Sequence, residues 1–495
     1  MPNLLEKRVK QFFYLIPLIF YILTMAKTVG YVDAALILNN AYHLEISAWV
    51  NNHNLFSLLG WIWIKIFPFG KEFFRLNLLS AIFGAFTVYF IFLTCFEYTR
   101  SILVSFITSI ALMISHSLWW HSTMLEVYTL NTLIIALILF TVLKYYRTRQ
   151  KKWFFISLFF WGLGISNHIL MSLFIAAFVL LMIMERKKYT FSDIVKGGLF
   201  FILGLSLFIF ACLKTYIRYH SLLVLFDFIT GGEFKSLMFS SVPKLFWRLN
   251  YIFILVYQYP SLILFFLFYG VFLLFSQRQR FDLFLIAALV PQIAWSANYF
   301  VWDMYAFSLP VYVMLSIVIC KGIYQVRNRR KVILISFISL IFPFFLYKNI
   351  NKSLIIRKLV DQYPVVETMK DSFDYVQYFL DPDKHKFNSV DQFVQELFDE
   401  LPEKSWYYDN VHDYPIHYYY QQIRHIRTDI KCPIDFASWI TEDEKTAAAN
   451  EINYKIIHKE HIYLTKFIFN WLSPKLKYNG VNILMINNQE IYHIY

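Results

Sequence analysis

The stretch that decides the fold runs from Arg147 to Lys188 and has the sequence RTRQKKWFFISLFFWGLGISNHILMSLFIAAFVLLMIMERKK. Its apolar part, Trp153–Met184, is long enough for one extended helix, but clusters of basic residues stand at both ends. Basic residues beside membrane spans stay on the cytoplasmic side, and both clusters can do so only if the chain crosses the membrane twice. The sequence therefore predicts two spans here, with an outer turn at Gly164–His168.

The whole chain has the composition of a membrane protein. Of its 495 residues, 58% are hydrophobic and only 16% are charged, whereas an average soluble domain has about 25% charged residues. The net charge of +13 is divided unevenly, with +18 on residues 1–350 and −5 on residues 351–495. This division is typical of a multi-span domain with basic cytoplasmic loops followed by an aqueous domain, and we expect no nucleic-acid partner.

Nine further apolar runs approach the length of about 20 residues that a membrane span needs. They are Phe12–Met25, Leu78–Phe96, Ile102–Leu118, Leu125–Tyr146, Gly197–Leu213, Tyr251–Phe275, Phe281–Ala297, Tyr305–Cys320 and Val332–Leu346. Together with the two spans above they predict eleven spans, with the N-terminus in the cytoplasm and the C-terminus outside. The short outer turns of this arrangement contain no Lys or Arg, as the positive-inside rule requires.

The sequence thus predicts an all-α polytopic membrane domain over residues 1–349 and a small extracytoplasmic α/β domain over residues 350–495. In this tail we expect two helices, Gln362–Leu380 and Ser389–Leu401, the second capped by Ser389. The expected strands are Ser405–Tyr408, Ile430–Pro433, Val481–Ile486 and Glu490–Tyr495, the last two forming a hairpin. A bacterial inner membrane is the expected location, with the tail in the periplasm.

Carboxylates on the outer side are the first candidates for chemistry, because an acid beside a span is either paired or functional. The acids that would ring one aqueous cavity there include Asp33, Glu45, Glu126, Glu233 and Asp303. Structural explanations stay open for three of them, and Asp303, between two spans, has the same ambiguity as the two described next. Asp33 is also suited to cap a helix that begins at Ala34, and Glu126 stands where a helix dipole favours a carboxylate.

Polar and aromatic residues of the outer turns and nearby spans are candidate substrate contacts. They are Arg75, Trp120, His121, Asn131, Asn167, His168 and Arg248. The histidines suit a phosphate or a sugar, and the two arginines suit a lipid phosphate. Each has an alternative role: a Trp at this depth is typical of an interfacial belt, an arginine there can reach the aqueous phase by snorkelling, and a single His is more often structural.

The motifs of soluble-nucleotide chemistry are missing from the sequence. It contains no Walker loop, no dinucleotide-binding fingerprint, no Gly-x-Ser-x-Gly elbow and no metal-spaced His or Cys set. Its four cysteines, Cys95, Cys212, Cys320 and Cys432, lie far apart. We therefore predict no cofactor and no metal, and a substrate carried on a lipid.

Several short motifs, taken in order, resemble those of a known family. They are YVDAA at Tyr31–Ala35, RLNLLSA at Arg75–Ala81, EVYTLN at Glu126–Asn131, LGISNH at Leu163–His168, TGGEF at Thr230–Phe234, WDMY at Trp302–Tyr305 and YYYQ at Tyr418–Gln421. The chain resembles the DUF-type bacterial membrane proteins classed as glycosyltransferase family 117, whose animal relative O-mannosylates plexin-type ectodomains. That family belongs to the GT-C superfamily of polyprenyl-phosphate-sugar-dependent transferases.

The resemblance implies an inverting glycosyltransferase that works on the extracytoplasmic side. A sugar, for which mannose is one candidate, would pass from a polyprenyl phosphate to a hydroxyl of a protein, lipid or polysaccharide. Asp33 would be the general base that takes the hydroxyl proton. The side chains that would stabilise the departing phosphate are Arg75, His168 or Arg248. Those that would orient acceptor or sugar hydroxyls are Glu126 and Asp303.

Two departures from the family pattern leave a second functional interpretation open. Members usually carry another carboxylate three residues after the first Asp, where this chain has Leu36, and a His-Pro-Pro-Gly-Tyr-Pro run where it has Trp49–Asn54. Glu45 is a candidate replacement for the lost charge. The alternative is a non-catalytic or transporter-like GT-C derivative that handles lipid-linked sugars. The absence of mid-span acids favours the transferase.

Overall fold

The computed structural model describes residues 4–31, 33–238, 245–299, 304–326, 329–360, 373–434 and 442–495. The chain is mostly helical, as the sequence predicts. The helices up to residue 360 are α1 (Leu4–Phe12), α2 (Leu15–Thr24), α3 (Asp33–His43), α4 (Asn54–Ile66), α5 (Glu72–Thr99), α6 (Ile102–Met113), α7 (His116–Thr123), α8 (Tyr128–Thr148), α9 (Lys151–Asn167), α10 (Ile175–Glu185), α11 (Phe191–Tyr219), α12 (Leu222–Ile229), α13 (Leu245–Gln258), α14 (Ile263–Gln277), α15 (Arg280–Ser296), α16 (Met304–Phe307), α17 (Leu309–Tyr324), α18 (Arg329–Ser339), α19 (Phe342–Ile350) and α20 (Leu354–Val360). Short 3₁₀ helices are Ile169–Phe174, Arg186–Lys188 and Gly232–Leu237.

The predicted reversal inside the deciding stretch is confirmed. Helix α9 ends at Asn167, and the chain continues through a 3₁₀ turn into α10. The ring of Trp161 stacks on that of Phe178 with centroids 4.7 Å apart, and the Trp161 indole N–H donates to the carbonyl of Met171 (2.8 Å). Along one straight helix, Trp161 and Phe178 would be about 25 Å apart, so the chain folds back on itself between them.

Helices α9 and α11 pack with their backbones in contact, which depends on two glycines. A Cβ added to Gly162 would lie 2.3 Å from the carbonyl oxygen of Phe201, and one added to Gly204 would lie 2.1 Å from that of Phe159. No side chain fits at either position. Small residues at such crossings let helices approach closely in membranes, where close packing is a main source of association energy.

Within the described residues, four helices are long and apolar enough to cross a membrane: Glu72–Thr99, Tyr128–Thr148, Ile169–Lys188 and Phe191–Tyr219. The number rises to six if two bent pairs are each counted as one span. The helices α9, α15 and α17 are shorter, at 17, 17 and 16 residues. The total of eleven spans therefore stays a prediction.

Two runs that the sequence predicts as continuous spans are bent. Helices α6 and α7 meet at 63°, where Ser115 takes an extended conformation (ψ 138°). Residues 251–258 of α13 meet α14 at 110° across a break that contains Pro260. Proline has no backbone N–H to donate and clashes with the preceding turn, so a helix cannot continue smoothly through it. Hydropathy alone predicts neither bend.

Two acids beside the basic clusters of the deciding stretch lie among basic side chains. Glu185 is buried and pairs with Arg149 (3.2 Å), Lys188 and Arg280. Asp193 pairs with Lys151 at 2.6 Å. Both carboxylates are therefore paired with bases, and that of Glu185 is buried.

The tail contains helices and a small mixed sheet. Its helices are α21 (Tyr375–Leu380), α22 (Ser389–Glu400), a π-helix (Pro415–Ile423), α23 (Glu442–Ile457) and α24 (Lys466–Leu472), with a 3₁₀ turn at Ser473–Lys475. Its strands are β1 (Trp406–Tyr408), β2 (Ile462–Thr465), β3 (Val481–Ile486) and β4 (Gln489–Ile494). The order is β1-β2-β4-β3, with β1 and β2 parallel and the other pairs antiparallel.

Several predicted tail elements are present, with the following differences. The segment 430–433 forms only a single bridge, between Lys431 and Trp406, and β2 was not predicted. The residue before α22 is Asn388, so Ser389 is not its cap, and Asn388 makes no side-chain capping bond among the described residues. Of the predicted helix 362–380, residues 361–372 lie outside the described part, and the remainder is α21. The division of the chain at residue 349 stays a prediction.

Candidate functional site

The first candidate residue, Asp33, is the first residue of α3 and is exposed. The loop before it is held by α5, because the Asn77 side chain donates to the carbonyls of Ala26 (2.9 Å) and Thr28 (3.3 Å). Leu36 follows one helical turn after Asp33 and is partly buried. The carboxylate of Asp33 is therefore fixed at a helix start and remains open to solvent.

The second carboxylate, Glu126, is half-buried in the turn before α8. Its backbone is held by the hydroxyl of Ser80, which accepts from the N–H of Glu126 (3.3 Å) and donates to its carbonyl (3.2 Å). Ser80 lies one helical turn after Asn77 on α5. One face of α5 thus positions both loops that carry the outer acids, which gives the Arg75–Ala81 motif a physical role.

A tyrosine of the tail joins these two acids. Tyr378 is buried, and a Cβ added to Gly30 would lie 3.5 Å from its hydroxyl oxygen. Burial raises the pKa of Tyr378 well above its ordinary value, and the carboxylates of Glu126 and, more weakly, Asp33 act in the same direction. Both acids therefore act electrostatically on one neutral hydroxyl. Sequence analysis had no signal for this, because Tyr378 is far from both in the chain.

Trp120 anchors the tail at this point. Its indole N–H donates to the carbonyl of Tyr378 (2.8 Å). The ammonium of Lys384 donates to the same carbonyl and lies 5.6 Å from the centre of the Trp120 ring. The backbone N–H of Lys384 donates to the carbonyl of Thr24 (2.8 Å), and the Thr123 hydroxyl donates to the carbonyl of Pro382 (2.9 Å). The segment Tyr375–Lys384 is thus docked on the ends of α2 and α7.

A cluster of imidazole and phenol rings stands on the other side of Glu126. The ring centroid of Tyr128 lies 5.3 Å from that of His121 and 5.8 Å from that of His168. His53 lies 5.2 Å from His168 by the same measure. The predicted residues His121 and His168 therefore come together, and the structure adds His53 and Tyr128, both of which stand in segments that the sequence analysis singled out.

Backbone partners fix the neutral tautomers of the three histidines. Nδ1 of His121 contacts the carbonyl of Ser117 (2.6 Å), and Nδ1 of His53 contacts that of Asn167 (3.0 Å). Each must donate there, which leaves Nε2 as an acceptor. Nδ1 of His168 instead accepts from the backbone N–H of Leu170 (3.3 Å), so its Nε2 carries the proton. The cluster offers two acceptors and one donor.

Two amides line the same region. The Asn167 side chain donates to the carbonyl of Val127 (3.4 Å), which ties the turn after α9 to the turn before α8. Asn131 is buried one turn into α8. The Oδ1 atoms of both have no hydrogen-bond partner among the described residues, which leaves acceptor capacity there.

Arg75 has a different role from the predicted one. Its guanidinium donates to the carbonyls of Ile64 (3.2 Å), Pro68 (3.1 Å) and Gly70 (3.0 Å), beyond the C-terminal end of α4. These bonds satisfy carbonyls that the helix end leaves free. The guanidinium is therefore committed to the protein backbone, and we leave Arg75 out of the proposed phosphate site.

Glu45 does not join Asp33. It is exposed and follows the C-terminal end of α3, whereas Asp33 begins that helix. An 11-residue helix is about 16 Å long, so the two carboxylates lie at opposite ends. The geometry gives no support to Glu45 as the replacement for the charge missing at Leu36.

Three candidate residues are not described at the level of their side chains. Asp303 lies outside the described residues. Glu233 belongs to the 3₁₀ helix Gly232–Leu237 and Arg248 to α13, and the position of neither side chain is described. Their assignment stays a prediction from the sequence.

A cavity is lined by residues of the docked segment and by the turn after β3. Its volume is about 730 Å³. Its wall includes Tyr31 and Tyr378 on one side and the turn residues Asn487, Asn488 and Gln489 on the other. Tyr31, which precedes Asp33 by two residues in the sequence, belongs to the lining, whereas Asp33 does not.

Comparison with known proteins confirms the resemblance. A family model described as the protein O-mannosyl-transferase TMEM260 N-terminal domain matches residues 39–191. The protein O-mannosyl-transferase TMEM260 of Mus musculus is 26% identical over 204 residues, which are 40% of this chain. The match spans 29% of the length of that relative. The part matched by the family model begins after Asp33.

Solved structures show the same fold. The chain is similar to ArnT from Cupriavidus metallidurans in the apo state, with a TM-score of 0.64, 11% identity and coverage of 98% of this chain and 97% of that one. The same protein bound to undecaprenyl phosphate gives a TM-score of 0.59, with the same identity and coverage. The fold is therefore of the GT-C type, as the sequence predicts, and the chain is an integral membrane protein.

Proposed function

We propose that the chain is a membrane glycosyltransferase that moves a sugar from a polyprenyl-phosphate carrier to an acceptor hydroxyl. The observation that carries this proposal is the placement of Asp33, an exposed residue at the start of a helix, whose preceding loop is held by the same face of α5 that holds the backbone of Glu126. The fold supports it, because one solved neighbour holds undecaprenyl phosphate. The curated relative that matches is named a protein O-mannosyl-transferase, so mannose is the proposed sugar and a protein the proposed acceptor.

In the proposed reaction Asp33 accepts the proton of the acceptor hydroxyl as its oxygen bonds to the anomeric carbon. The bond between that carbon and the phosphate oxygen breaks, and the lipid phosphate leaves with the electron pair, so the anomeric configuration inverts. General-base assistance contributes roughly 10²–10⁴-fold. Glu126 orients the acceptor or a sugar hydroxyl, and positioning by the surrounding residues supplies a comparable share.

The cluster of His53, His121, Tyr128 and His168 suits the lipid-linked sugar. A phosphate oxygen needs a hydrogen-bond donor, which His168 supplies at Nε2 when Nδ1 accepts from Leu170. Sugar hydroxyls can donate to Nε2 of His121 and of His53, whose Nδ1 atoms are occupied by carbonyls. Arg248 remains the proposed cationic partner of the departing phosphate.

The proposed site faces the extracytoplasmic side. The charge distribution supports this orientation, since the basic clusters at Arg147–Lys152 and Arg186–Lys188 favour the cytoplasm. The lipid carrier would enter from the outer leaflet, the tail would lie in the periplasm, and the membrane would be a bacterial inner membrane.

The test is sugar transfer by purified protein from polyprenyl-phosphate mannose with a radiolabelled sugar. We expect Asp33→Asn to reduce transfer at least about 100-fold while thermal stability stays unchanged, because Asn cannot accept the proton. The matched control is Asp227→Asn, an exposed outer carboxylate paired with Lys235 (2.5 Å). Transfer by Asp33→Asn at the rate of the unchanged protein would refute the proposed base.

Leu36 favours one alternative, a non-catalytic or transporter-like derivative of the same fold. The residue stands where family members carry a second carboxylate, one turn after Asp33. This alternative predicts that the protein binds the lipid-linked sugar without transferring it. The same assay separates the two functions when binding of the labelled donor is measured in parallel with its conversion.

A further inference from the structure

Strand β3 is an open edge of the sheet. It is last in the order β1-β2-β4-β3, and its ladder joins it only to β4 within the described residues. The two strands are joined by the two-residue turn Asn487–Asn488, in which both residues have positive φ (46° and 64°). The closing pair is Ile486 and Gln489.

The hairpin geometry shows which backbone groups face outward. In a two-residue hairpin the closing pair exchanges both hydrogen bonds, and every second residue beyond it does the same. The bonds between Gly480 and Tyr495 (3.0 and 3.2 Å) continue this alternation. The N–H and C=O groups of Val481, Ile483 and Met485 therefore point away from β4. They make no backbone hydrogen bond among the described residues.

This edge lacks the features that normally protect a strand from pairing with another chain. Exposed edges are usually shortened or carry charged residues, proline or a bulge. The sequence of β3, VNILMI, has no charge and no proline, and its pairing with β4 is continuous. Ile483 and Met485, on one side of the strand, are 55% and 58% exposed. The other edge strand, β1, has three residues and is bridged to Lys431.

One end of the open edge reaches the cavity described above, because the turn after β3 is part of the lining of that cavity. The turn after β3 forms one wall of that cavity, and Tyr31 and Tyr378 form the opposite wall. The charges in the wall are balanced: the acids Asp374, Asp381 and Asp383 face the bases Arg357, Lys384 and Lys386. Arg357 pairs with Asp374 at 2.8 Å, and Lys384 donates to a backbone carbonyl. The cavity therefore suits an uncharged, hydroxyl-bearing segment.

We propose that the acceptor is an extended polypeptide that adds to the sheet along the outer edge of β3 and places a hydroxyl side chain in the cavity. The role as acceptor rests on the proposed function, whereas the docking surface does not. Main-chain hydrogen bonds to Val481, Ile483 and Met485 supply affinity in this mode, and alternate side chains of the peptide contact the apolar surface of Ile483 and Met485.

The test is binding of a fluorescent peptide, acetyl-Lys-Thr-Val-Thr-Val-Thr-Lys-amide, to the full chain in detergent, without any sugar donor. Saturable binding is expected for the unchanged protein. Ile483→Pro removes one outward N–H and leaves the bonds to β4 in place, and it should weaken binding about tenfold or more. Ile483→Thr keeps that N–H and should weaken binding less. Thermal unfolding of both variants shows whether the tail remains folded.

A second control changes the probe instead of the protein. The same peptide with an N-methyl group on each Thr and each Val residue cannot donate from these residues along either edge, and it should not bind. Equal binding of the methylated peptide, or of the normal peptide to Ile483→Pro, would overturn the proposal. A dimer of the chain that Ile483→Pro dissociates would also overturn the proposal, because the edge would then pair with a second copy. Displacement of the peptide by mannotetraose would overturn it as well, because the cavity would then bind a carbohydrate.

The two proposals can fail separately. Peptide that binds but receives no sugar from the lipid-linked donor would refute the transferase function and leave the docking surface intact. Sugar transfer to another acceptor, with no binding of the peptide, would refute the docking surface and leave the transferase function intact.

Discussion

The indole N–H of Trp120 donates a hydrogen bond of 2.8 Å to the backbone carbonyl of Tyr378, 258 residues later in the chain. The bond joins α7 to the tail segment that contains Tyr378, whose hydroxyl lies close to Gly30, three residues before Asp33. Trp120 is therefore a positioning residue at the proposed site, and more than a member of an interfacial aromatic belt.

Trp120→Phe should destabilise the protein by about 2 kcal/mol. Roughly half of this comes from the lost hydrogen bond and the rest from the smaller buried ring. The loss is limited because Lys384 still donates to the same carbonyl. Thermal unfolding in detergent measures the change, and limited proteolysis should cut the tail faster in the variant.

The matched control is Trp295→Phe. Trp295 is partly buried, and its indole N–H donates no hydrogen bond within the described residues. This change removes the same ring atoms without removing a donor. If both variants lose the same stability and resist proteolysis equally, the Trp120 bond does not hold the tail.

The two outer acids should act together. We expect Asp33→Asn and Glu126→Gln each to reduce sugar transfer, and the double variant to be less impaired than the product of the two single effects. Groups that share one environment are not additive, because the first loss already disables what the second supports. The measurement is the steady-state transfer rate of the parent, the two single variants and the double variant, which form a double-mutant cycle. Full additivity would contradict a shared site.

Lys384 should make stability depend on pH. Burial lowers the pKa of its ammonium from 10.5 to about 7. Between pH 7 and pH 10.5 the unfolded chain binds more protons at this lysine than the folded chain does, so the free energy of unfolding rises with pH. Below about pH 7 this lysine is protonated in both states and adds no pH dependence. The slope from this group is at most about 1.4 kcal/mol per pH unit. Lys384→Met should remove it.

The measurement compares the unfolding temperature of Lys384→Met with that of the unchanged protein from pH 6 to pH 10. The difference between the two should favour the variant most near neutral pH and shrink as pH rises. Asp381 is the partner that most opposes the effect of burial on the pKa of Lys384. A difference that stays constant with pH would show that the buried amine does not titrate in this range.

Nε2 of His121 should contribute to the affinity for the lipid-linked sugar. Asn at this position keeps a donor for the carbonyl of Ser117 but has nothing at the place of Nε2, whereas Gln places an amide there. We therefore expect His121→Asn to raise KM for the lipid-linked donor about tenfold, with partial recovery in His121→Gln and unfolding temperatures close to that of the parent. A larger loss in the Gln variant than in the Asn variant would reverse the assignment of the tautomer.

The sequence predicted the local features of the fold well and the long-range ones poorly. The reversal, predicted at Gly164–His168 and found directly after α9 ends at Asn167, follows from charge on both sides of one apolar run, and that signal is contained in 42 neighbouring residues. The contact between Trp120 and Tyr378 depends on how the tail docks, which neither hydropathy nor periodicity encodes. Arg75 shows the same limit, since a local helix end captures its guanidinium and residue type alone cannot reveal that.

The site itself was predicted in part for the same reason. His121 and His168 were expected from their positions on outer turns, and the structure brings them to one cluster. His53 was noted only within a polar run, because a single His carries little signal without its neighbours. Asp33 is exposed and Glu126 is half-buried, while the side of the membrane on which they lie and their roles remain proposals.

Leu36 offers a direct test of which residue supplies the second carboxylate. Side chains one turn apart on a helix are about 5–6 Å from each other, so Leu36→Asp would place a negative charge close to Asp33. A like charge at that distance raises the pKa of a carboxyl group. If Glu126 already fills the second role, the variant gains no activity at neutral pH, and the acidic limb of its pH–rate profile moves to higher pH. A rise in the transfer rate would show instead that the parent chain lacks a carboxylate that the reaction requires.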